Sequence, residues 1–156
     1  MKILKITLLV VVCVTIGYLS GMVTRDSINT WYPTLVKPIF NPPNWIFAPV
    51  WTLLYIMMGI AAGLVWTSIS DEKVRQKALG FFAIQFGLNA LWSYLFFGLH
   101  NPLLALAEIV LLWLMIFETY NLFKRIDKTA GLLFIPYLAW VSFATILNAS
   151  IWWLNR

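Results

Sequence analysis

The chain has 156 residues, of which 62% are hydrophobic and 11% charged, with a formal net charge of +5. A soluble domain carries roughly 45–50% apolar and about 25% charged residues, and one of this size could not bury so much apolar surface. These values exclude a water-soluble globular domain, a disordered chain and a nucleic-acid binder held by a basic surface, which leaves an integral membrane protein.

Five apolar runs follow in chain order, at 6–23, 46–69, 78–99, 103–123 and 131–154. Each is close to the ~20 residues a spanning helix needs, and none alternates with polar residues as a membrane β-strand would. The expectation is an all-α integral membrane protein, a bundle of five transmembrane helices forming one domain over residues 1–156. The first run begins after Lys2 and Lys5, as a signal peptide would, but bulky Tyr18 stands where a cleavage site wants a small residue. It is therefore read as a retained helix.

Between the first and second runs lies a long loop, about residues 24–45. Pro33, Pro38, Pro42, Pro43 and Pro49 fall in it or in the first turn beyond it, interleaved with Trp31, Tyr32, Phe40, Trp45 and Phe47. Proline fixes φ and removes a donor, so the loop should be stiff, an aromatic lid over one end of the bundle. An interfacial belt is the alternative for any single aromatic. The remaining connections are short, as antiparallel neighbours require.

Lys2, Lys5, Lys73, Arg75, Lys77, Lys124, Arg125 and Lys128 fall on one side of the membrane, and Arg25, Lys37 and Arg156 on the other. The positive-inside rule then puts the N-terminus in the cytoplasm and the long loop and C-terminus outside.

Polar residues inside lipid must face the bundle interior. Gln85, Asn89, Trp92, Ser93 and Phe96 share one face of the third helix, and Trp140, Ala144, Leu147, Asn148 and Ile151 one face of the fifth. Trp51, Tyr55, Met58, Gly59 and Ala62 do the same on the second. Converging stripes of this kind form either an apolar aromatic pocket with a few polar anchors or simple interhelical packing with amide bonds.

The chemistry-bearing residues are few. Glu108 and Glu118 are about 80° apart around one helix and about 15 Å apart along it, too far to act as an acid/base pair. Glu108, nearer the outer end, is the more suspect for function. The lone Cys13 and lone His100 offer no metal site, and no hydrolase, phosphate-loop or metalloprotease motif is present. His100 could reach a haem iron from the mouth, or be an ordinary loop residue. Gly17-xxx-Gly21 and Gly59-xxx-Gly63 suit close helix contacts within the bundle, whereas Ala83 and Gly87, offset from the Gln85–Asn89 stripe, suit a dimer seam.

WYPTLVKPIFNPPNWIFAPVW (31–51), GLNALWSYLFFGLHNP (87–102) and PYLAWVSFATILNASIWW (136–153) resemble the TspO/translocator-protein family, also called tryptophan-rich sensory proteins or peripheral-type benzodiazepine receptors. The likeness runs in order over nearly the whole chain. It implies a five-helix bundle, commonly a homodimer, that binds porphyrins and drug-like hydrophobic ligands beneath the first loop. Protoporphyrin IX or haem would be the ligand, with no cofactor or metal required and no nucleic-acid partner. By the same resemblance Trp51 and Trp140 would be the pair tied to porphyrin degradation, and Tyr32, Trp45, Tyr55, Asn89 and Trp92 would line the site. Ala144, Leu147 and Asn148 would occupy the ligand-responsive stretch of the fifth helix. Propionates would be met by indole N–H groups, Asn89 or Lys37. Sensing is the leading expectation; the alternatives are light- and oxygen-dependent porphyrin breakdown and transport of porphyrins, sterols or other lipophiles. The stretch ATILNASIWWLNR lacks the Tyr of the animal sterol pattern, which argues against cholesterol. The basic N-terminus fits a prokaryotic cell membrane.

Overall fold

A computed structural model describes all 156 residues, Met1–Arg156. Five helices run up and down: α1 (Lys2–Ile28), α2 (Phe47–Trp66), α3 (Glu72–Ser93), α4 (Pro102–Ile126) and α5 (Lys128–Leu154). All five are long and apolar enough to span a membrane, α3 together with the wider turn that continues it to Gly98. Around the bundle the order is α1, α2, α5, α4, α3, with the end of α3 returning against α1. The architecture is the all-α, five-helix membrane bundle expected.

The helix ends depart from the apolar runs for physical reasons. α1 continues through charged Arg25 and Asp26 to Ile28, because a polar side chain at the membrane surface does not interrupt backbone hydrogen bonding. The long loop is correspondingly shorter than the sequence suggests. α2 stops at Trp66, where Thr67 turns its hydroxyl back to the Gly63 carbonyl at 2.8 Å. Asp71 caps α3 by accepting from Lys73 N at 2.9 Å, and Asn101 caps α4 by accepting from Leu104 N at 3.0 Å, with Pro102 as the first helical residue. Asp127 alone joins α4 to α5. Its N–H closes α4 on Phe123 O at 2.8 Å, and its carboxylate accepts from Ala130 N at 3.0 Å to open α5.

Five residues past the regular part of α3, Tyr94–Gly98, form a π-helical turn, in which Leu99 N reaches Tyr94 O at 2.8 Å. The wide turn buries Leu95, Phe96 and Phe97 together and leaves the Phe97 carbonyl to accept from the Ser27 hydroxyl of α1. That proton is then committed, so His100 Nε2–H must be the donor in its 3.1 Å contact with Ser27 Oγ.

Helices α1 and α2 approach at backbone distance through glycine. A Cβ at Gly59 would lie 2.5 Å from Val10 Cα, and one at Gly63 2.7 Å from Ile6 Cα. Further along α1, Gly17 admits the Tyr55 ring, which a Cβ there would overlap. One turn on, Gly21 has nothing within 4 Å, so the two helices part beyond Gly17. Of the two small-residue motifs expected to pack inside the bundle, Gly59 and Gly63 both do; of Gly17 and Gly21, only Gly17 does.

Gly59→Leu is therefore expected to destabilise the protein by about 2 kcal/mol or more, as an overpacked contact does. Gly21→Ala, with open space at the same helix, should stay within about 0.5 kcal/mol of the parent. Thermal midpoints of the two variants in one detergent make the comparison, and equal midpoints would contradict the packing described.

Candidate functional site

Where α1 and α2 part, a cavity of about 500 Å³ opens between α1, α2, α5 and the lid end of α3. That volume is within the usual range for small-molecule sites. From α2 come Trp51 and Tyr55, stacked with centroids 5.7 Å apart and 27° between planes. The lining also holds Trp92 of α3 and Phe96 of the π-helical turn that continues it, stacked at 5.3 Å and 23°. Helix α5 contributes Trp140, which is edge-on to Phe47 at 6.3 Å and tilted on Phe143 at 5.4 Å. Ala144, Leu147 and Asn148 continue the α5 wall, and Tyr32 closes it from the loop.

A buried hydrogen-bond chain holds Tyr55 from behind. Tyr55 OH donates to Asn89 Oδ1 at 3.0 Å, and Asn89 Nδ2 donates to Tyr137 OH at 2.7 Å. Tyr137 OH in turn donates to Gln85 Oε1 at 2.9 Å. The chain joins α2, α3 and α5 below the cavity. A second link fixes the opposite wall: Trp92 Nε1 donates to Asn148 Oδ1 at 3.0 Å, and Asn148 Nδ2 donates to the Pro102 carbonyl at 2.8 Å. These amides are occupied by the protein itself. Trp140 Nε1, by contrast, is buried without an acceptor.

Over the top, the loop is pinned at several points. Tyr32 OH donates to Asn41 Oδ1 at 2.7 Å. Val36 exchanges two backbone bonds with the Asn155 side chain, at 2.9 and 2.8 Å. Trp31 stacks on His100 with centroids 4.3 Å apart and 12° between planes. Lys37 Nζ donates to the carbonyls of Tyr32 and Leu35 at 3.0 and 2.9 Å, so the ammonium is spent on the loop and does not face the cavity as expected.

The structure brings Tyr32, Trp51, Tyr55, Trp92, Trp140, Ala144, Leu147 and Asn148 to one cavity. Two expected lining residues stand elsewhere. Trp45 is 74% exposed and lies outside the cavity, on the 3₁₀ turn that leads into α2. Asn89 sits one layer behind the wall, its amide bonded to two tyrosines. His100 also serves the lid and does not line the cavity. Glu108 is buried in α4 with both carboxylate oxygens unpartnered, also outside the lining.

Sequence reasoning missed the whole α1 wall, including Gly17, Gly21, Arg25 and Ile28. A helix apolar on every side gives no contrast to show which face is inward. The spacing of Gly17, Gly21 and Arg25, one turn apart each time, was the available signal.

Residues 9–154 match the model of the TspO/MBR family. The chain is 44% identical to the tryptophan-rich protein TspO of Chlorobaculum tepidum, over 99% of this chain and 98% of that one. It is 43% identical to a protein of the same name from Archaeoglobus fulgidus, over 99% of each chain. It is also 36% identical to the translocator protein of Bos taurus, over 90% of this chain and 83% of that one.

Tyr137→Phe removes a hydroxyl that both accepts from Asn89 and donates to Gln85, leaving two buried amides short of a partner. A loss of about 1–3 kcal/mol is expected, read as a lower thermal midpoint, and an unchanged midpoint would show the chain to be dispensable. Burial also pushes the Tyr32 phenol up to about 12. The folded state then keeps a proton the unfolded state has lost, so this stabilisation is complete below about pH 10 and disappears as pH rises towards about 12. Tyr32→Phe should lack that part of the alkaline decline when midpoints are compared across this interval.

Proposed function

This chain belongs to the TspO/MBR family of multi-pass membrane sensory and translocator proteins, and on that footing we propose that its cavity binds a tetrapyrrole of the protoporphyrin or haem type. The observation that carries the reading is the wall itself. Trp51, Trp92 and Trp140 stand on three different helices around one cavity of about 500 Å³. A flat macrocycle gains area burial and offset stacking from such rings. A binding protein of this kind senses its ligand through the lid, which touches both the cavity and the surface of the bundle.

Light- and oxygen-dependent porphyrin breakdown is the second reading, favoured by the presence of both Trp51 and Trp140 in the lining. Light supplies the energy and dioxygen the oxidant. The protein's part is to hold an oxidisable indole against the ring and to exclude bulk water. Positive-inside counting supports a cytoplasmic N-terminus, which puts the lid outside the cell. We further propose a homodimer through α3, where Ala83, Ile84 and Gly87 are exposed and a Cβ at Gly87 meets nothing within 4 Å.

The test is a titration of detergent-solubilised protein with protoporphyrin IX, following tryptophan quenching in the dark and absorbance under light. Saturable quenching is expected, and quenching that rises without saturation would remove the tetrapyrrole reading. Trp51→Phe and Trp140→Phe should each retain affinity within about threefold, since a ring remains to stack. If breakdown is an activity of the protein, these variants lose it; bleaching at the parent's rate leaves a binder and sensor.

A further inference from the structure

We infer that Arg25 is the anion-binding group of this cavity, selecting ligands that carry a carboxylate over their neutral counterparts. The inference deepens the proposed tetrapyrrole site and rests on it for the identity of the ring, though not for the charge. Arg25 is the only charged residue in the lining. Lys37, the other cation of the loop region, is turned away onto the Tyr32 and Leu35 carbonyls.

Position favours the assignment. From the lid end the cavity is covered, by the paired Val36–Asn155 bonds, the Tyr32–Asn41 bond and the Trp31–His100 stack. On its flank it is open. Tyr18 and Met22 of α1 line the cavity yet are 59% and 49% exposed, and Ala48 and Thr52 of α2 are exposed lining residues opposite them. Gly21 leaves the space between these groups empty. Arg25 stands one helical turn beyond Gly21, at the lid end of this gap, with its guanidinium 5.9 Å from the centre of the Tyr18 ring. An amphiphile whose aromatic body lies among Trp51, Trp92 and Trp140 would leave its acidic arm at this opening. A carboxylate there meets the planar donor fork of an exposed guanidinium, whose two parallel N–H groups match its two oxygens. Asn148 and the Trp92 N–H are already bonded within the protein, and the remaining polar groups of the lining carry no charge to match a carboxylate's.

The test uses full-length protein in phosphatidylcholine nanodiscs, with protoporphyrin IX and its dimethyl ester as paired probes. Pyrenebutyrate and its methyl ester are run alongside as a flat aromatic acid that is not a tetrapyrrole. Arg25→Gln is expected to weaken the acids about threefold to fivefold, the loss of one exposed ion pair, and to leave the esters unchanged. Arg25→Lys should restore part of the preference, because the charge returns without the fork. Equal weakening of acid and ester would make Arg25 a packing residue and overturn the inference, as would no weakening of either. If protoporphyrin does not saturate the parent protein but pyrenebutyrate keeps an acid preference that Arg25→Gln abolishes, the anion site stands and the tetrapyrrole reading falls.

Discussion

Within a bilayer a buried polar group has no water to turn to, and this bundle is organised around that constraint. Tyr55, Asn89, Tyr137 and Gln85 satisfy one another in a single chain that ties α2, α3 and α5 at a fixed spacing. Apolar packing alone would not set that spacing, because lipid tails are as good a neighbour for Leu or Phe as another helix is. The hydrogen bonds supply the direction that hydrophobic contact lacks. With the lower layer fixed, Tyr55 and its stacked partner Trp51 become a rigid wall.

Glycine does the complementary work on the other side of α2. Below Gly17, α1 and α2 touch backbone to backbone; above it they diverge, because Tyr55 takes the space that a straight contact would need. The cavity is thus a consequence of how one tyrosine is held. It is buried against Asn89 at its hydroxyl and against Gly17 at its ring. A bulkier residue at Gly17 or a missing acceptor at Asn89 would move the same wall, from opposite ends.

The five helices were legible because each apolar run is long enough to span a bilayer and nothing else suits so apolar a chain. Their ends were less so: the extension of α1 to Ile28 and the single-residue join at Asp127 depend on backbone hydrogen bonds that hydropathy does not report. On α2, α3 and α5 a few amides and indoles among aliphatic residues marked the inward faces, and those faces do converge. What spacing could not separate was the wall from the layer behind it. Asn89 and Trp92 share a helix face, yet one turn of depth makes Asn89 a support and Trp92 a surface. Trp45 misled for another reason: within the aromatic-rich loop, only the local 3₁₀ turn decides which ring points in. Helix α1 carried no contrast in hydropathy, and only the one-turn spacing of Gly17, Gly21 and Arg25 hinted at its role in the cavity.

The bonds between Asn155 and Val36 join positions 119 residues apart, the last turn of the chain to its first loop. A ribosome delivers Val36 long before Asn155 exists. During synthesis the first two helices can be inserted and paired through their glycines while the loop above them still lacks its final fastening. The Val36–Asn155 fastening over the cavity therefore forms only once α5 has been made.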